Sequence, residues 1–311
     1  MGKLIETIPT EVTEAVAESL RLFRQAHFRQ PGNRHGASQP LPSLLERCEQ
    51  YIAAERQPRK EHIRLIHHFA CTGGTLITKC LACSPNVHVL SEVDPLSPMA
   101  PANGKFNPTD LIQLVQHGNR GTSVEEKLAL FQATFGLLYN SSAAKGLRML
   151  VRDHTHSHFC TGSEIESRPT LGRILSDQYQ AQSIITVRHS LDSWLSLVKN
   201  GWVSFQPATL EEYARRYQAF LDINPNVRIF KYEDFVASPA GVLRELCEAL
   251  DLPFPADFQL LFTAHSFSGD SGRKGEVIKP RERRPIANDL VAQVQDSLAF
   301  RSLCRQLNYE I

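Results

Sequence analysis

Five short polar clusters in this chain carry the residue types that bind phosphate and move protons. They are CTGGT at Cys71–Thr75, SEVD at Ser91–Asp94, RDHTHSH at Arg152–His158, RHSLDS at Arg188–Ser193 and KYED at Lys231–Asp234. Small hydroxyl residues flanking two glycines suit close approach of backbone N–H groups to a phosphate. A guanidinium such as Arg188, with a hydroxyl from the following helix, can converge on a phosphate; spacing alone equally allows an Arg–Asp contact at a helix start. Glu92 and His154 are both candidates to take a proton from an attacking hydroxyl or amine. A carboxylate in that role needs a pKa raised toward neutrality.

Each cluster follows an apolar run that must position it. Ile63, Leu65 and Ile66 lead as a strand into CTGGT, after which Leu76, Ile77, Cys80 and Leu81 recur at helical spacing. Leu147, Met149 and Val151 alternate into Arg152. Ser183 to Val187 and Val227 to Phe230 read as buried parallel strands. Helices are expected at Asn107 to His117, Val124 to Leu138, about 240–250 and 287–307. Another opens at Ser190 as its cap, with Leu191, Trp194, Leu195 and Val198 on its apolar face and Asp192, Ser196 and Lys199 on another. Strands alternating with helices predict an α/β fold, a three-layer sandwich with a mostly parallel central sheet. In such a sheet the loops after the strands share the carboxyl edge, where ligands bind.

The 311 residues carry a net charge of +1, with 42% apolar and 22% charged residues. That balance argues against a nucleic-acid partner, so an anionic ligand must be held by local clusters. No apolar run approaches the ~18 residues of a membrane span, and the N-terminus has no signal-like apolar stretch, which predicts a cytoplasmic protein. Residues 1–60 are expected to add a helical extension, a lid or oligomer contact, to a main domain at 61–311. Its helices are a stripe of Val12, Val16, Leu20 and Phe23 capped by Thr10, and a second marked by Leu44, Leu45, Cys48, Tyr51 and Ile52. Cys80 and Cys83 have CxxC spacing but no second pair, so reduced, packed thiols are expected rather than zinc ligands.

In combination the motifs resemble the sulfotransferase family that uses 3′-phosphoadenosine 5′-phosphosulfate (PAPS), which has a P-loop-like fold. CTGGT stands where that family has its 5′-phosphosulfate loop. Arg188 and Ser196, eight positions apart, match its 3′-phosphate motif, and Tyr232 falls at the position associated with adenine. Arg273-Lys274-Gly275 matches a C-terminal 3′-phosphate run. The resemblance covers roughly residues 63–286. It implies PAPS as co-substrate, held by Thr72, Gly73, Gly74, Thr75, Arg188, Ser196, Tyr232, Arg273, Lys274 and Gly275. It also implies Glu92 as base and His154 as stabiliser of the transferring group, with the roles reversible. No metal is required.

Cys71 departs from the family pattern, because the loop there begins with Lys or Arg. Losing one such preorganised donor costs about 10²–10³ in rate. Lys79, Arg152 and His154 are candidates to replace it; alternatively the chain binds the nucleotide without turnover. A P-loop kinase is the other rival, but no lysine follows Gly74. The basic run Lys279 to Pro285 could attract an anionic ligand or be a solvated loop. The acceptor is left open among small molecules, sugars, lipids and peptides, as is a homo-oligomer.

Overall fold

Ile63, Leu65 and Ile66 have no exposed surface, so strand β1 (His62–His68) is packed on both faces, as only a central strand of a covered sheet can be. The computed structural model describes residues 62–99, 109–267 and 277–311, together with Arg21, Ser43, Leu44 and Glu46. The chain divides into two compact units, Met1–Pro58 and Arg59–Ile311. The expected N-terminal helices lie almost wholly outside the described residues.

In the second unit β1 pairs with β3 (Arg148–Asp153) on one side and β5 (Gln180–Val187) on the other, with β2 (Val87–Val93) and β7 (Arg228–Lys231) at the edges. The order is β2-β3-β1-β5-β7 and every pairing is parallel. The chain moves outward from β1 to β2, returns through β3, then crosses β1 to β5. The loop after β1 therefore opens at the point where the winding reverses, where such sheets form their ligand crevice. A separate two-stranded pair joins β4 (Thr161–Gly162) to β6 (Ser204–Phe205).

Among the helices are α1 (Gly74–Leu81), α2 (Val124–Ala144), α3 (Ser190–Lys199), α4 (Leu210–Asp222), α5 (Pro239–Ala249) and α6 (Leu298–Gln306). Alternation along β1 sends Ile63 and Leu65 to Phe135 and Tyr139 of α2, and Ile66 to Leu76, Ile77 and Leu243 of α1 and α5. A third cluster packs Phe69 and Val187 against α3, α4 and α6. Helices thus cover both faces of the sheet, which gives the expected helix–sheet–helix layers.

Several boundaries differ from expectation. The helix before α2 is confined among described residues to Leu111–Gln116, where Asp110 caps it. A capping box of Ser123 and Glu126 starts α2, which runs a turn and a half beyond Leu138. Helix α3 is capped by the His189 ring rather than by Ser190, and Leu197 is buried where Val198 was expected. The C-terminal helix is two helices, Asn288–Asp296 and α6, broken where the Ser297 hydroxyl caps α6 and reaches Glu211. Cys71, Cys83, Cys160, Cys247 and Cys304 are free thiols, and Cys80 is fully buried. No helix among the described residues is long and apolar enough to cross a membrane.

Phe69 joins this core to the loop. Its ring stacks on Tyr217 at 4.5 Å and meets Tyr213 and Phe220 at 5.3 and 5.6 Å. Phe69→Ala should cost about 3–5 kcal/mol, read as a lower midpoint in denaturant titration with unchanged slope; an unmoved midpoint would show that the loop is not anchored there.

Candidate active site

Backbone geometry after β1 makes the loop. Cys71 and Gly73 take left-handed φ values of 63° and 87°. The hydroxyl and N–H of the fully buried Thr72 both donate to the Phe69 carbonyl, at 2.8 and 3.3 Å. Thr72 therefore fixes the turn rather than offering its N–H to a ligand, as the sequence led one to expect. The loop's ligand-facing donors begin at Gly73, where the first turn of α1 has no intrahelical acceptors.

Both glycines are required by their neighbours. A Cβ on Gly73 would lie 2.3 Å from Tyr232 Cδ2, and one on Gly74 would lie 2.6 Å from His68 Cγ. The Tyr232 ring thus lies against the loop, and the Arg188 guanidinium sits 5.0 Å from its centroid. Arg188 Nη1 donates to Ser196 Oγ at 3.4 Å, and that hydroxyl donates to the Asp192 carbonyl within α3. Loop, tyrosine, arginine and serine line one cavity of about 930 Å³, which also reaches Lys79, Glu92, His154 and His156.

Arg152, the last buried arginine of β3, is fully enclosed and does not line that cavity. Its Nη1 donates to Thr75 Oγ1 (2.6 Å), its Nε and Nη2 to Ser91 Oγ (3.0 and 2.7 Å), and its Nη2 meets Glu92 Oε1 at 2.5 Å. It acts on the cavity through Thr75 and Glu92 and does not itself stand in for the loop cation.

Glu92 sits at a bulge in β2 with φ 60°, which turns its side chain toward the cavity. Its Oε2 lies 2.7 Å from His154 Nε2. Burial raises its pKa, but the His154 hydrogen bond and the charges of His68, Arg152 and His154 outweigh that and hold it down at about 2. The raised pKa expected of a carboxylate base is not what the fold produces. Asp94 is occupied by a two-point pair with Arg168 (2.8 and 2.6 Å), by Ser157 and by the Leu96 N–H.

The three histidines after β3 do not point one way along an extended segment. His154 precedes a short helix, Thr155–Phe159, and His158 turns aside to donate to the Glu166 carbonyl at 2.8 Å. His154 and His156 stay together, Nε2 to Nε2 at 2.8 Å. The fold also brings them Glu92 from the end of β2, while the neighbouring Asp153 pairs with His67. His156 is pushed down to about 4, mainly by burial, and His68 to about 3 by burial and then Arg152.

The basic run Lys279 to Pro285 divides its work. Arg281 and Arg284 line the cavity, while Arg283 pairs with Asp192 at 3.0 Å and Arg284 also donates to the Leu195 carbonyl. Cys71 feels Arg188 and Arg284, yet burial pushes its thiol up to about 11, so it is uncharged at neutral pH. Lys199 and Asn200, just beyond Ser196, line the cavity too, unmarked by any motif; their sequence signal was only their place on the turn after Ser196. Arg273, Lys274 and Gly275 lie outside the described residues.

The chain belongs to the sulfotransferase family, whose model matches residues 66–256. Among solved structures it is similar to the sulfotransferase domain from the Synechococcus PCC 7002 olefin synthase. That match has 18% identity, covers 82% of this chain and 98% of that one, and has a TM-score of 0.50. A mouse sulfotransferase, SULT7A1, complexed with PAP matches at 11% identity over 79% of this chain and 89% of that one, TM-score 0.37. No curated protein sequence matches. The fold is thus the P-loop-like fold of sulfotransferases.

Gly73 and Gly146 both have positive φ, but only Gly73 has a neighbour within 4 Å. Gly146→Ala should cost about 1–2 kcal/mol of backbone strain, and Gly73→Ala a further ~1–3 kcal/mol of overpacking against Tyr232. Thermal denaturation of the two variants checks the order; equal losses would contradict the close packing.

Proposed function

We propose that this sulfotransferase takes its sulfuryl group from PAPS and passes it to a hydroxyl or amine by in-line displacement. The observation that carries the reading is the meeting of the Gly73–Thr75 loop, Tyr232, Arg188 and Ser196 on one cavity. The residues suit that co-substrate. The Tyr232 ring takes the space that a Gly73 Cβ would fill, so ring and loop backbone meet at one end of the cavity. The loop N–H groups and the Thr75 hydroxyl, oriented by the bond it accepts from Arg152, hold the 5′-phosphosulfate. Arg188 and Ser196 hold the 3′-phosphate, with Arg273, Lys274 and the Gly275 amide assisting, and Tyr232 packs on the adenine.

His154 removes the acceptor's proton as its oxygen or nitrogen bonds to sulfur, and the bond from sulfur to the 5′-phosphate oxygen breaks. Glu92, held ionised, orients His154 and stabilises its charged form, a division favoured by the carboxylate's low pKa. Charge on the departing oxygen is met by the loop N–H groups, with Lys79, Arg281 and Arg284 supplying the cation that Cys71 does not. Positioning and electrostatics do the catalysis. The acceptor is a small molecule, sugar, lipid or peptide admitted at the same cavity. The neutral Cys71 favours a second reading, a chain that binds the nucleotide and transfers nothing.

Transfer of labelled sulfate from PAPS to a panel of phenol, sugar and amine acceptors separates the two. His154→Ala should lower kcat by about 10²–10⁴, with Glu92→Gln losing less in turnover while lowering thermal stability, since Arg152 loses its counter-ion. Full turnover in His154→Ala with loss in Glu92→Gln would invert the assignment. No transfer by the wild type, with tight bisphosphate binding, would leave the binding protein.

A further inference from the structure

Three ligand atoms crowd together on the cavity wall in a way that shared protons satisfy poorly. His154 Nε2 is 2.7 Å from Glu92 Oε2 and 2.8 Å from His156 Nε2. A ring nitrogen carries either a proton or a lone pair in the ring plane, not both. If His154 Nε2 donates to Glu92, the His156 nitrogen faces it without a lone pair to meet. If His154 Nε2 accepts from His156, its own lone pair faces the carboxylate oxygen. A cation between the three would satisfy all of them at once.

We propose that Glu92, His154 and His156 form a binding site for a divalent transition-metal ion of the zinc class. One ligand atom from each lies within 4.8 Å of the others. Metal–ligand bonds of about 2.0–2.2 Å place neighbouring ligands roughly 3 Å apart, close to the two short separations here. Two imidazoles and one carboxylate are a donor set suited to zinc, cobalt and iron. The bulge at Glu92 aims the carboxylate, and Arg152 holds Oε1, which leaves Oε2 to the histidines. Arg152 also opposes the ion with its charge, and Glu92 offsets it.

A second observation points the same way. His68 is buried, its Nδ1–H donates to the Phe69 carbonyl at 3.2 Å, and its Nε2 has no hydrogen-bond partner among the described residues. That nitrogen lies 3.8 Å from Glu92 Oε1 on the same cavity. A ring whose other nitrogen is tied to a backbone carbonyl is the usual arrangement for a metal-binding histidine. His68 is not one of the three ligands, since its Nε2 faces the carboxylate oxygen that Arg152 holds, but it leaves an acceptor nitrogen beside them.

The site stands on this geometry and not on the sulfuryl-transfer reading. On that reading, a bound ion would engage both His154 and the Glu92 carboxylate that orients it, and so block turnover. The test uses the full chain, stripped with a chelator and titrated with Co²⁺, with Zn²⁺ as competitor. Visible absorption and calorimetry report the binding, and circular dichroism reports folding. One Co²⁺ per chain is expected, displaced by Zn²⁺. His156→Ala should weaken binding by more than the roughly 10–100-fold typical of losing an outer partner, and His158→Ala, whose ring is turned away, should leave it unchanged. No uptake by the wild type, or equal uptake by a folded His156→Ala, overturns the site. If His156→Ala fails to fold, His154→Gln gives the same comparison.

Discussion

A buried guanidinium holds the carboxyl edge of this sheet together. Arg152 has no exposed surface, and an enclosed charge is tolerated only with a counter-ion and filled hydrogen-bonding positions. Those partners come from two elements: Thr75 at the start of α1, and Ser91 and Glu92 at the end of β2. Satisfying one arginine therefore fixes the loop, the carboxylate and β3 relative to one another. Removing one partner of such a buried pair commonly costs about 3–5 kcal/mol. The constraint also explains the chemistry of Glu92. The carboxylate that neutralises Arg152 is held too acidic to be a good base, which is why the proposed mechanism gives that role to His154, which it contacts.

The same edge separates two jobs spatially. On the proposed function, Tyr232 against Gly73, with Arg188 beyond its ring, is the end that takes the nucleotide. Glu92 with His154, His156 and His68 forms the end that suits proton transfer. Between them stands Cys71, neutral where a cation is expected. Positive charge reaches this middle ground from Arg284, on the segment that Arg283 fastens to α3 through Asp192. A charge carried in from a distant segment does the electrostatic work less directly than one on the loop itself.

Much of this was legible in the residues because parallel strands announce themselves. Ser183 to Val187 is a near-continuous apolar run, Ile63, Leu65 and Ile66 are apolar around Arg64, and the polar residues that follow both had to share one edge. Arg188 and Ser196 were paired by the family resemblance, since spacing alone equally allowed an Arg–Asp contact at the helix start. What was hidden is long-range. Nothing near His154 in the chain foretold that a bulge would bring Glu92 to it, or that burial of Arg152 would lower the pKa of that acid. The turn of His158 away from its neighbours follows from a short helix that five residues of sequence do not signal. Arg284 was visible only as one charge in a run, and which charges in a run face a cavity is decided by the packing of Asp192 and Leu195 beneath it.

The central claim is a site for a nucleotide bearing phosphates at both the 5′ and the 3′ positions. Calorimetric titration with adenosine 3′,5′-bisphosphate, beside adenosine 5′-monophosphate and ATP, tests it most directly. The account predicts that the bisphosphate binds tightest, and that Arg188→Ala weakens it to about the level of the monophosphate while leaving the monophosphate itself unaffected. Tighter binding of ATP, or a bisphosphate affinity that Arg188→Ala does not change, would contradict it.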